Sequence, residues 1–203
     1  RFKSLMPDQR MALIVYQFRH LESGTEAAYV NLVRQGVTED QYSHFLTMQN
    51  GRYAEMAWKI VQKGGFAQVG NFLDTIEATP VERRSFAEFA AGLGLSRLIG
   101  GENAKVTRAA VDEMRTWLAV QSPQDVDRIT GIALARNANA GGNFQAAAAI
   151  VETIYQESGG DAVLVAFLEN VKMSRFATEQ EAMANKVTDE NTRRKILLKL
   201  KPS

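Results

Sequence analysis

Apolar residues recur along this chain at the three- and four-residue spacing of a helix face, and almost nowhere at the alternation that a half-buried strand requires. In "GNFQAAAAIVETIYQ" the residues Ala147, Ile150, Val151 and Ile154 fall at i, i+3, i+4 and i+7. In "QVGNFLDTIE" the residues Val69, Phe72, Leu73 and Ile76 do the same. Each set makes one apolar stripe, so the expected fold class is all-α, about ten helices with no sheet. Alanine is the strongest intrinsic helix former, which makes the run Ala146 to Ala149 a helical segment rather than a linker.

The helices are punctuated. Six hydroxyl-led start signals appear: "SGTE" at Ser23, "TEDQ" at Thr38, "TPVE" at Thr79, "SPQD" at Ser122, "TEQE" at Thr178 and "TDEN" at Thr188. In such a box the hydroxyl accepts from an orphaned backbone N–H, and an acid or amide three residues on reaches back. Pro80 and Pro123 occupy the first helical position, where a missing N–H costs nothing. Stops are as regular, with glycine pairs at 64–65, 100–101, 141–142 and 159–160. Each pair is expected to close a helix and turn the chain.

Seven to nine residues beyond each pair lies a similar cluster, "FLDTI" at 72–76, "AVDEM" at 110–114, "IVETI" at 150–154 and "FLENV" at 167–171. The first three are separated by 38 and 40 residues, within the range of two-helix repeats. The expected unit is helix, Gly-Gly turn, helix, then an outer turn led by Thr or Ser with proline. Three copies cover 51–78, 79–121 and 122–158. Residues 1–50 form N-terminal capping or docking helices and 161–203 a divergent closing set, all in one continuous right-handed α-solenoid.

The segments "GGFAQVGNFLDTIEATPVERRSFAEFAAGL" (64–93) and "GGNFQAAAAIVETI" (141–154) resemble the short helical hairpin repeats of bacterial α-solenoid proteins, TPR-like arrays such as those of Verrucomicrobia-type bacteria. The resemblance spans roughly residues 51 to 160. It implies a helical scaffold with no assigned activity. The Trp, Gly-Tyr and Pro positions of the tetratricopeptide consensus are not reproduced, so that family's peptide-carboxylate clamp is not carried over.

Charge narrows the partner class. Lysine and arginine number 24 against 23 acids, a net charge of +1 that supplies no broad field for nucleic acid. A protein or peptide partner is the expectation. RNA binding by a helical repeat and an enzyme with an all-helical cleft remain as alternatives. No cysteine is present, which removes disulfides, thiolate metal sites and cysteine nucleophiles. The glycine pairs lack the Lys-Ser or Lys-Thr of a phosphate loop, and His20 and His44 stand alone without a metal-binding helix motif. No cofactor, metal or catalytic residue is therefore expected. No apolar run reaches the ~20 residues of a membrane span. The chain begins at Arg1 with neither an initiator methionine nor a signal-like apolar region, and an upstream leader or anchor is expected.

Four features stand out for stacking or recognition. Asp74, Asp112 and Glu152, with Glu169, hold the acid of the repeated cluster and would form either a salt-bridged face or a ladder for a basic partner. Arg84, Arg128 and Arg194 follow the caps by five or six residues, and the first two are expected to pair with acids of an adjacent hairpin. The tail "RRKILLKLK" (193–201) sets five basic residues around an apolar stripe, either as a solvated last helix or as a surface for anionic membrane or RNA. The helix "PDQRMALIVYQFRHL" has two apolar faces, one of Met11, Ile14, Val15 and Phe18, the other of Leu13 and Tyr16 leading to His20. If the second face docks a partner, replacing Leu13 and Tyr16 with glutamate leaves the circular dichroism spectrum and Tm unchanged and removes partner binding. Unfolding of the double variant would instead assign both side chains to the core.

Overall fold

A computed structural model describes residues 50–172 and 174–200, with side chains from Met56 onward. The first helix with Leu13, Tyr16 and His20, the starts at Ser23 and Thr38, and His44 lie outside the described residues. Among the described residues the regular structure is helical, with no strand. Eight α-helices follow in order: α1 Asn50–Thr75, α2 Pro80–Ile99, α3 Arg108–Gln121, α4 Val126–Asn139, α5 Phe144–Ser158, α6 Ala162–Asn170, α7 Ala177–Ala184 and α8 Glu190–Leu200. Single 3-10 turns occupy Pro123–Asp125 and Ser174–Phe176. The chain divides into two compact units, Arg1–Ala90 and Ala91–Ser203, with the division inside α2.

In the first unit α1 is interrupted at the glycine pair. Gly65 has φ 63° and ψ −149°, a conformation open only to glycine, so the helix stops and restarts there. Val69, Phe72, Leu73 and Ile76 are all buried, as their spacing predicts, and the Phe72 ring meets Phe86 of α2 at 5.5 Å between centroids. The end of α1 is closed by the paired bonds Ala78 N–H to Leu73 O and Glu77 N–H to Asp74 O, with Glu77 at φ 48° in the position glycine usually fills. At the start of α2 the expected capping box forms in full. The Thr79 N–H donates to Glu82 Oε2 at 2.8 Å and the Glu82 N–H donates to Thr79 Oγ1 at 3.3 Å. Glu82 is 0% exposed, so this bond satisfies a buried carboxylate as well as an orphaned donor.

The second unit is organised around α6, "AVLVAFLEN", the most apolar of its helices, with Val163, Leu164, Ala166, Phe167 and Leu168 buried. Helices α4, α5, α7 and α8 all pack on it. Each large side chain of this kind contributes ~1.5–3 kcal/mol when fully buried. The α4–α6 pair is the closest of these contacts, and Gly131 makes it so. A Cβ at that position would lie 2.4 Å from the Val163 carbonyl oxygen, 2.9 Å from Ala166 Cβ and 2.9 Å from the Phe167 nitrogen. The two helices thus touch almost backbone to backbone.

All four glycine pairs stand where a helix stops. Gly100 and Gly101 close α2 with bonds to Arg97 O and Ser96 O, and Gly159, at φ 69°, closes α5 through Tyr155 O. The pair 141–142 meets two further constraints. Gly141 has φ 95°, and a Cβ there would stand 2.6 Å from Asn103 Oδ1. Gly142 lies against Asn137, whose buried Nδ2 donates to the carbonyls of Glu102 and Ala104 at 3.3 and 3.4 Å. Asn137 Oδ1 is buried without a hydrogen-bond partner, and a Cβ on Gly142 would come within 2.6 Å of it.

Several starts differ from expectation. Ser122 Oγ donates to Asp125 Oδ2 at 2.9 Å and the Asp125 N–H donates back to Ser122 O. That local ring holds Pro123–Asp125 in a 3-10 turn, and α4 begins only at Val126. Thr178 lies inside α7 rather than capping it, since Phe176 precedes the helix with no side-chain cap bond. Thr188 is taken by Asp161, whose carboxylate accepts from both its N–H and its hydroxyl, and Asp189 caps α8 one residue later by accepting the Thr192 N–H at 2.7 Å. Two caps, Thr107 on α3 and Asn143 on α5, carry no acid or amide three residues on and fall outside the box pattern.

Gly131→Ala is expected to lower stability in chemical denaturation by ~2–3 kcal/mol or more, because backbone must move to admit the methyl. Gly92→Ala on α2 is the control. Its Cβ would meet only the flexible Arg136 side chain at 3.2 Å, so the usual helix-interior gain of ~0.5–1 kcal/mol is expected to survive.

Candidate interaction surface

The four repeated clusters share one inside-outside phase. Phe72, Leu73 and Ile76, then Ala110, Val111 and Met114, then Val151 and Ile154, then Phe167, Leu168 and Val171 are buried, with Ile150 half-buried. Asp74, Asp112 and Glu169 are exposed and Glu152 is half-buried. Their positions along the helices differ, however. Asp74 and Glu169 stand one residue from a helix end, Asp112 stands in the second turn of α3, and Glu152 is mid-helix in α5.

Three of these acids are already paired within the chain. Asp74 accepts from Arg83 at 2.8 Å, Asp112 from Arg108 at 2.7 Å, and Glu152 from Lys186 at 2.7 Å. Arg108 reaches further, forking onto Glu157 of α5 with bonds of 3.2 and 2.7 Å. One guanidinium therefore joins two carboxylates and ties α3 to α5. The Arg108 hydrogen bond holds the Glu157 carboxyl below its ordinary pKa, and the two acids in turn raise the pKa of Arg108. On the other side of α5 the Tyr155 hydroxyl donates to Lys186 O at 2.9 Å, beside the Lys186–Glu152 pair. Helix α5 is stapled to the elements before and after it.

Two of the three arginines that follow the caps hold an acid close by in sequence. Arg128 pairs with Asp125 at 3.1 Å in the turn before its own helix, and Arg194 with Glu190 at 3.3 Å on α8. Arg84 is exposed, and it is the adjacent Arg83 that meets Asp74. Pairs that cross between elements of the second unit include those of Arg108, of Lys186 in the turn after α7, and of Arg115, which reaches Asp127 at 2.8 Å and the buried Thr130 hydroxyl at 3.4 Å. Spacing from the caps does not find these cations, because a crossing pair depends on which helix faces are opposed.

A concave surface lies between α7 and α8, a cleft of about 620 Å³. Thr178 and Glu181 line it from α7; Arg193, Leu197, Leu198 and Leu200 line it from α8. Ile196 is buried on the inner face of α8, while Leu198 is 60% exposed and Leu197 and Leu200 are half-buried. The sequence signal for this site was the apolar stripe in "RRKILLKLK", read above as a tail rather than as one wall of a cleft. Further exposed apolar side chains, Trp58, Val81, Leu98 and Val120, are scattered along α1, α2 and α3.

Among the described residues no cluster of three or more histidine, aspartate or glutamate side chains is placed to hold a metal ion. No described helix is long and apolar enough to cross a membrane. Compared with protein-family models, with curated proteins and with solved structures, the chain matches none of them.

The Arg108–Glu157 pair makes a signed prediction. Because the folded-state pKa of Glu157 is depressed, its stabilising contribution is present above the ordinary glutamate range and is lost as pH falls through the lower folded value. An NMR titration of the Glu157 carboxyl is expected to give a pKa below that of an unperturbed glutamate, and Arg108→Gln is expected to return it to the ordinary range. An unchanged titration in the variant would show that the fork is not populated in solution.

Proposed function

We propose that this chain is a non-enzymatic, TPR-like helical repeat scaffold that binds a protein or peptide partner. The observation that carries the reading is the order of packing in the second unit, where helices pack on the next and the next but one: α3 on α4, α4 on α5 and α6, α5 on α6, α6 on α7 and α8, α7 on α8. Stacked hairpins produce this pattern, since each helix meets its own hairpin partner and its equivalent in the neighbouring hairpin. The common burial phase of the four clusters and the helix stop at each of the four glycine pairs support the same unit.

Mechanism in such a scaffold is geometric. Ion pairs such as Arg108–Glu157 and Lys186–Glu152 set the stacking register, the apolar stripes build the core, and what remains exposed between helices selects the partner. The near balance of charge in the whole chain favours protein over nucleic acid. With Asp74, Asp112 and Glu152 held by Arg83, Arg108 and Lys186, a basic partner must displace an existing cation at each position. The acids therefore serve stacking better than capture.

A random-peptide display selection on the full chain tests the reading. Recurrent sequences that bind with Kd in the micromolar range are expected, as for a preformed helical groove. Failure to enrich any sequence over successive rounds would count against a peptide-binding scaffold.

A further inference from the structure

Neighbouring helix pairs of the second unit, α3 with α4 and α5 with α6, are joined differently on their two sides. On one side α4 and α6 pack directly, backbone against backbone at Gly131. On the other side α3 and α5 hardly touch each other, and the Arg108 guanidinium spans the space between them. We propose that this asymmetry is a hinge, with its pivot at Gly131 and its clasp at Arg108, Asp112 and Glu157, so that rising ionic strength opens the α3–α5 side. The hinge is a property of the unit itself and holds whether or not the chain binds a peptide.

Each helix pair moves as one body. Arg115 of α3 bonds Asp127 at 2.8 Å and the Thr130 hydroxyl at 3.4 Å, both on α4. In the other pair α5 packs on α6, and the Phe144 and Phe167 rings meet at 5.8 Å between centroids. Because backbone contact at Gly131 fixes the distance between α4 and α6, relative motion of the two pairs is a rotation about that line rather than a separation. Such a rotation changes the α3–α5 spacing most.

The clasp resists it with one guanidinium making three bonds, to Asp112 at 2.7 Å and to the two Glu157 oxygens at 3.2 and 2.7 Å. A lone exposed ion pair contributes little, whereas a bidentate, networked arginine holds a defined geometry. Asp112 and Glu157 are exposed, so the attraction is open to screening, whose length falls from about 10 Å at 0.1 M salt to about 3 Å at 1 M. Arg115 also bears on the Glu157 carboxylate but is itself held by Asp127. Beyond α5 the junction is different, since Phe144 stacks on Phe176 at 4.4 Å beside the Lys186–Glu152 pair. Stacked rings are not screened by salt, which confines the opening to the α3–α5 side.

The chain has no cysteine, so pairs of spin labels can be placed on the full chain without removing any residue of the clasp. Thr116→Cys with Gln156→Cys reads the α3–α5 side, and Arg136→Cys with Ala162→Cys reads the α4–α6 side; all four positions are exposed. Between about 0.1 M and about 1 M sodium chloride the mean α3–α5 separation is expected to lengthen by about 2 Å or more, while the α4–α6 separation stays constant. Arg108→Gln at low salt is expected to produce the same lengthening and to abolish the response to salt. Glu157→Gln, which leaves Arg108 on Asp112 alone, is expected to do likewise, and neither exposed substitution is expected to change the circular dichroism spectrum. An α3–α5 separation indifferent to both substitutions, a variant that still responds to salt as the wild type does, or equal lengthening of the two label pairs would each overturn the hinge.

Discussion

The second unit depends on one close approach. At Gly131 the backbone of α4 comes so near that of α6 that even a methyl group would sit 2.4 Å from the Val163 carbonyl. With the two backbones fixed at this distance, the apolar side chains on either side of the crossing have one way to interdigitate: Ile129, Leu134 and Ala135 from α4, and Leu164, Phe167 and Leu168 from α6, are all buried. The Phe167 ring then meets Phe144 of α5 at 5.8 Å, and Phe144 stacks on Phe176 at 4.4 Å and 9°, with Arg175 above it at 4.9 Å. A pile of three rings and a guanidinium links α6, the start of α5 and the turn before α7. Loosening the α4–α6 contact would therefore disturb the aromatic column and with it the seat of α7.

Local rules recovered much of this. Helix faces followed the three- and four-residue spacing, because burial against any apolar neighbour satisfies the same stripe. The glycine stops were legible for a related reason: Gly65, Gly100, Gly101, Gly141 and Gly159 all have positive φ, which is a property of the residue and its immediate neighbours. The capping box at Thr79 was equally local. At two of the misplaced starts a competing bond had intervened. Ser122 found Asp125, and Thr188 found Asp161, 27 residues earlier in the turn before α6.

What spacing could not show was which charged faces oppose one another. Arg108 lies four residues before Asp112 and 49 before Glu157, and only the fold makes the second distance short. The same holds for Lys186 and Glu152, 34 residues apart, and for the Asn139 side chain, which donates to Asn170 O and accepts from the Lys172 N–H to close the end of α6. Gly131 was invisible for the complementary reason. A glycine inside a helical pattern reads as a mild defect until the helix that covers it is known.

These long-range pairs redistribute the charge of a nearly neutral chain. Acids on α3 and α5 are consumed by Arg108 and Lys186, so the faces they occupy present satisfied pairs rather than a field. On α8 Glu190 is bound to Arg194, Arg193 donates to the Val187 carbonyl, and Asp189 just before the helix supplies a further counter-charge. Surface ion pairs of this kind contribute little stability individually. What such pairs fix is which helix faces oppose one another, since Arg108 can meet Asp112 and Glu157 together only where α3 lies beside α5.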